Sequence, residues 1–236
     1  MTRKKAPRLL ALLAVCALLT GCQSAPRTAQ PTAAPVAARA VATETPPDLS
    51  GVEPVPIYQQ VVTTDRVISV ILEGYTEDDT MQSLVSLIGS RAPNCVFFFT
   101  GATAADSPQL VQAATAAGLE VGDYGLNVEK NLDQNSAAKN LRQLKRAQAL
   151  LTEAAGTAPR LLRCNGSLYT DELLRVAAAA GLQGAVRPSA YLNHRSFSSA
   201  EDAATYVQKL VRGSVLSIKL GQELDTAEYG DQGQEL

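Results

Sequence analysis

The chain has 236 residues, 46% hydrophobic and 19% charged, enough apolar material for one domain with a real core. Its 21 Lys+Arg and 23 Asp+Glu form no basic stripe, which excludes a polyanion-binding surface for nucleic acid. Its four cysteines show no CxxC spacing, which argues against a thiolate zinc site.

The N-terminus reads MTRKKAPRLLALLAVCALLTGC: a basic start at Arg3, Lys4, Lys5 and Arg8, then an apolar run from Leu9 to Leu19. A mature membrane span needs about 20 apolar residues, so this run fits a secretory signal peptide over residues 1–21. The ending Leu19-Thr20-Gly21-Cys22 resembles a bacterial lipobox. That resemblance implies acylation of Cys22 and a cell-membrane, lipid-anchored position on the extracytoplasmic side. Cleavage before Cys22 leaves 17 Lys+Arg against 23 Asp+Glu, a net of −6. That charge disfavours acidic headgroups, so the membrane lipid partner is expected to act through Cys22. Residues 22–60 are rich in Ala, Pro and Thr and read as an extended tether.

Residues 61–220 alternate strands and helices. A β-branched run, Val67–Leu72, ends at Gly74, and Met81, Leu84, Val85 and Ile88 form an amphipathic stripe up to Ser90. Cys95–Phe99 is the next strand, stopped at Gly101. Ser107-Pro108 opens a helix that Gly118 closes, and Leu119–Gly122 is a third strand. Ser136 is the expected N-cap of a long helix with Leu141, Leu144, Leu151 and Ala155 on one face and Gly156 at its end. Arg160–Arg163 is a fourth strand, Thr170–Ala180 a helix ending at Gly181, and Gln183–Val186 a fifth strand. Ser199–Val211 is a helix, Gly213 a turn and Ser214–Ile218 a sixth strand. Continuous apolar strands separated by helices imply an α/β fold with a parallel sheet, as a distorted barrel or an open sheet. Residues 221–236 read as a polar, acidic tail.

The order of segments resembles the polysaccharide deacetylase (NodB homology) domain, an irregular (β/α) barrel with about six recognisable strand–helix units here. The resemblance rests on Val70-Ile71-Leu72-Glu73-Gly74, Phe97-Phe98-Phe99-Thr100-Gly101, Gly122-Asp123-Tyr124, and Ala155-Gly156-Thr157-Ala158-Pro159 before Arg163-Cys164-Asn165-Gly166. Gly213-Ser214 before the last strand closes the series. In the family an aspartate base, an aspartate and two histidines on a divalent metal, and a late histidine acid perform deacetylation. Carried over residue by residue, the base falls on Leu72 and the aspartate ligand on Glu73. The histidine ligands fall on Tyr124 and Val128, and the late histidine on Lys219. Arg163 alone keeps its family identity. A hydrolytic zinc site needs about three protein ligands and an open position, so the resemblance implies no metal, no cofactor and a pseudoenzyme.

Two arrangements of the rim remain open. Glu73 and Asp123 suit a hard cation; alternatively Glu73 pairs with Arg163 in the space the metal left, with Lys219 near either carboxylate. Asp78 and Asp79 read as helix N-terminal acids. A cleft lined by Glu73, Asp123, Tyr124, Arg163, Asn165 and Tyr169 would then bind cell-wall glycan or an envelope protein. The alternatives are a carbohydrate-active hydrolase with a rearranged site and a structural envelope lipoprotein. The single histidine, His194, sits in a polar segment and reads as solvated surface. Cys95 and Cys164 fall at opposite ends of their strands and are expected to be unpaired, with Cys95 buried.

Overall fold

The computed structural model describes residues 45–91, 94–192 and 197–220. The expected signal peptide, the lipidation site, most of the tether, His194 and the tail lie outside the described residues.

Eight parallel strands form one sheet in the order β1-β6-β5-β4-β3-β2-β8-β7. They are β1 (Ile57–Tyr58), β2 (Ser69–Gly74), β3 (Val96–Phe99), β4 (Glu120–Asp123), β5 (Leu161–Leu162), β6 (Gly184–Val186), β7 (Ala190–Leu192) and β8 (Val215–Leu220). Helices α1 (Asp78–Arg91), α2 (Gly101–Asp106), α3 (Pro108–Ala116), α4 (Ala137–Ala155), α5 (Asp171–Ala179) and α6 (Ala200–Lys209) connect them. The sheet curls into a half-closed, irregular (β/α) barrel. Six strands were legible in the sequence, and eight are present among the described residues. The two extra ones, β1 and β7, are two and three residues long, too short to show a period. Helix α2 was also missed, because Gly101 looked like a stop; Thr100 instead caps it by accepting from Thr103 N at 3.0 Å.

The fold begins before the expected boundary at residue 61. Val55 is buried, its amide donates to Leu174 O in α5, and β1 pairs with β6. The other caps fall where local chemistry put them. Ser136, Thr170 and Ser199 accept from the amides of Lys139, Leu173 and Asp202. Gly156 closes α4 at φ 76°.

Strand alternation sorts the core onto two sides of the sheet. On the outer side Leu72, Phe97, Phe99 and Val121 pack against Met81, Val85, Leu110 and Leu151, with Phe97 and Phe99 stacked at 4.2 Å. Farther along the sheet, Leu162 and Ala185 pack against Leu173, Val176 and Leu144. On the inner side a smaller cluster of Ile71, Phe98, Tyr124, Val186 and Val215 fills the barrel. Gly122 is required there: a Cβ on it would lie 2.4 Å from the Phe98 ring. Gly74 ends β2 at φ 98°, with the Leu220 carbonyl where a Cβ would be.

Candidate functional site

The C-terminal strand ends carry the positions that the sequence singled out. Register decides which side each one faces. Glu73 stands beside Phe98 on β3 and Lys219 on β8, so it shares the inner side with Ile71. Leu72, one residue earlier, points outward into the helix-packed core and is 1% exposed. The position aligned with a catalytic base is therefore a core residue on the other side of the sheet.

Glu73 is fully buried and meets the guanidinium of Arg163 side-on. Arg163 Nη2 donates to Glu73 Oε1 at 3.4 Å, and Nε lies 3.1 Å from Oε2 as an ion pair whose N–H is not aimed at the oxygen. Ser217, which follows Val215 on the inner side of β8, donates its hydroxyl to Glu73 Oε1. Arg163 also donates to the Cys164 carbonyl. Burial works against the charged guanidinium. Glu73 first, and then the phenols of Tyr169, Tyr124 and Tyr191, outweigh it and hold Arg163 well above its ordinary pKa. Lys219, 5% exposed, donates to Asn165 Oδ1 at 3.0 Å. The expected Glu73–Arg163 pair is present, and Lys219, the register partner of Glu73 on β8, makes the second polar contact, to Asn165.

Asp123 corrects the expectation of a carboxylate pair. It registers with Phe99 and Leu162, both outward-facing. Its side chain accepts from Gln148 Nε2 in α4 at 2.8 Å and from the Gly125 amide at 2.7 Å. Burial pushes its pKa up to about 6 against those two hydrogen bonds. With Glu73 inside the barrel and Asp123 outside it, the two cannot share a cation.

The expected cleft is closed as well. Glu73, Asp123, Tyr124, Arg163 and Asn165 are all buried. Tyr169 is committed: its hydroxyl donates to Val186 O and accepts from the Cys164 amide, and Arg187 lies 5.4 Å over its ring. Val128, unlike the others, is half exposed. Asp78 and Asp79 open α1, and Asp78 also accepts from Tyr75, Ser107 and Gln109. Cys95 and Cys164 are both buried and unpaired, and burial pushes the Cys164 thiol up to about 12. Ser217 and Gln148 were not singled out from sequence. The signal for Ser217 was a hydroxyl inside the apolar run VLSIKL.

The family model described as polysaccharide deacetylase matches residues 57–185. The chain belongs to the polysaccharide deacetylase family. Among solved structures it resembles a family 4 carbohydrate esterase (CE4) pseudoenzyme from Bacillus anthracis, at 15% identity and TM-score 0.61, over 77% of this chain and 66% of that one. A mutant of that pseudoenzyme with restored enzymatic activity gives 17% identity and TM-score 0.62, over 76% and 68%. A family 4 carbohydrate esterase from Streptomyces lividans, in complex with acetate, gives 22% identity and TM-score 0.55, over 71% and 79%. These likenesses establish the fold. No curated protein sequence matches the chain significantly.

A polysaccharide deacetylase that works as the family does needs a metal, and the residues here do not fit one. Among the described residues no three His, Cys, Asp or Glu side chains gather into a possible metal site. The inward-facing carboxylate of Glu73 is engaged by a guanidinium and a hydroxyl. Its charge is already matched by Arg163, and among the described residues no second acidic, imidazole or thiol ligand joins it.

Proposed function

We propose that this protein is a lipid-anchored member of the polysaccharide deacetylase family on the extracytoplasmic side of the cell membrane, that it has lost metal-dependent deacetylation, and that it acts by binding. The observation that carries this reading is the buried Glu73–Arg163–Ser217 cluster, which fills the centre of the site with an ion pair. Leu72 turned outward supports it, because no carboxylate is then placed to take a proton from water. The fold does not fix the bound species. Buried Tyr124 and committed Tyr169 leave no open aromatic platform at the expected cleft, which favours an envelope protein over stacked sugar.

The test is acetate release from chitin-type and peptidoglycan-type oligomers by the purified protein with added zinc, together with metal analysis. The expected result is no turnover and no stoichiometric zinc. Acetate release that disappears in Glu73→Ala would establish the alternative, a hydrolase with a rearranged site. Retrieval by cell-wall polysaccharide, rather than from membrane extract, would make glycan the ligand. Cys22→Ser should shift the protein out of the membrane fraction.

A further inference from the structure

The end of the barrel opposite the family's site has a different surface. Segment 57–62 leaves β1 and crosses to β8, where Gln60 bridges Ser214 and the Val61 amide donates to Gly213 O. It rims an open cavity of about 570 Å³ at the N-terminal strand ends, lined by Ile71, Val96, Leu161, Val186, Val215 and Tyr58. Around this mouth Val62 is fully exposed, and Tyr58, Val61, Val67 and Val211 are each 42–59% exposed. Five of the nine exposed large apolar side chains among the described residues thus lie at one end. Patches of this kind on a monomer mark an interaction surface.

Charge separates this end from the other. At the strands' C-terminal ends, the first helical turns carry Asp78, Asp79, Asp171, Glu172, Glu201 and Asp202. The N-terminal mouth carries Arg66, Arg91, Arg160, Lys209 and Arg212, which outnumber Asp65, Glu120 and Glu153. Arg160 pairs with Glu120. Arg66 and Arg212 donate only to the carbonyls of Gln208 and Thr64, and among the described residues no carboxylate pairs with them or with Lys209. The domain is a charge dipole whose positive pole coincides with its apolar pole.

We infer that the N-terminal mouth of the barrel is a membrane-facing surface that docks on an anionic phospholipid bilayer, with Val61, Val62, Val67 and Val211 entering the headgroup region. Apolar side chains ringed by uncompensated bases fit an anionic interface, which attracts Lys and Arg near its surface. The same surface repels the acidic opposite end, so the orientation follows from both poles. Net negative charge over the whole chain does not prevent this, because charges beyond a Debye length of about 8 Å are screened. The inference rests on the lipid-anchor reading for proximity to the bilayer. Residues 22 to 45 would span at most about 80 Å, so the linker lets any face reach the membrane and the preference must come from the face itself. Docked this way, the sealed polar cluster points away from the membrane.

The experiment attaches a bimane fluorophore to the full chain carrying Val62→Cys or, at the opposite end, Leu168→Cys. A hexahistidine tag inserted directly after residue 22, on nickel-chelating lipid, holds the chain at the vesicle whether or not Cys22 is acylated. Flotation without that lipid reads the anchor separately. In vesicles of phosphatidylglycerol and phosphatidylcholine with nitroxide-labelled phospholipid, bimane at position 62 should be quenched about fivefold more than at 168. Arg66→Gln with Arg212→Gln, or phosphatidylcholine alone, should abolish the contrast. Equal quenching at both positions would overturn the inference. So would protection of position 62 from both nitroxide lipid and aqueous iodide, since a second copy or another part of the chain would then cover the mouth.

Discussion

Arg163→Met tests the filled site directly. The guanidinium it removes is 5% exposed and faces a carboxylate that is fully buried, at 3.1 and 3.4 Å. Without it, Glu73 keeps only the Ser217 hydroxyl, and stranding one member of a buried ion pair costs about 3–5 kcal/mol. Against a typical stability of about 5–15 kcal/mol, that loss is large. Glu73→Leu in the same protein removes the stranded charge, and a well-packed apolar replacement of a buried pair is near neutral. The double variant should therefore recover most of the loss, with a coupling energy of about 2 kcal/mol or more. Urea denaturation of the wild type, both single variants and the double variant at neutral pH gives all four corners of the cycle. If Arg163→Met costs under about 1 kcal/mol, or if the two single effects simply add, the ion pair is not what fills the site.

Asp123 predicts a pH dependence. Its pKa in the fold, about 6, stands above the unfolded value of 3.8. The folded state therefore holds an extra proton between those values, and stability falls as pH rises from about 4 to 6, by about 3 kcal/mol. Asp123→Asn, which keeps an oxygen for Gly125, should flatten that slope in melts across the window and stabilise the protein at pH 7; an unchanged slope would refute the assignment. Gly122→Ala drives a methyl into the Phe98 ring and should cost about 1–3 kcal/mol in the same denaturation assay. Cys95 and Cys164 should resist a thiol reagent at pH 8 until denaturant is added, because both are buried and both thiols are raised by burial. Rapid labelling in the native state would contradict their placement.

What the sequence revealed depended on how local the deciding physics is. Ser136 was readable as a cap because a cap is settled within four residues. The Glu73–Arg163 pair was readable because a buried carboxylate and a buried guanidinium have few other ways to be satisfied. Asp123 was not, because its direction depends on strand register, and one step along β4 moves a side chain from the barrel interior to α4. The closed cleft escaped for a similar reason: Tyr124 and Tyr169 are built into packing and backbone contacts that no spacing announces. Strand β1 was hidden inside a proline-rich stretch that composition alone assigns to the tether.

Under the proposed function, the outward position of Leu72 bears on whether a base could be placed in this site. A carboxylate introduced there would first enter the company of Met81, Val85, Phe97 and Phe99, where an uncompensated charge destabilises the fold before any chemistry is gained. Under the proposed loss of catalysis, a base at this position would require the outer core to be rebuilt at the same time, and a single substitution there would act first as a folding defect. On that reading the packing of one leucine acts as a ratchet against a carboxylate at this position.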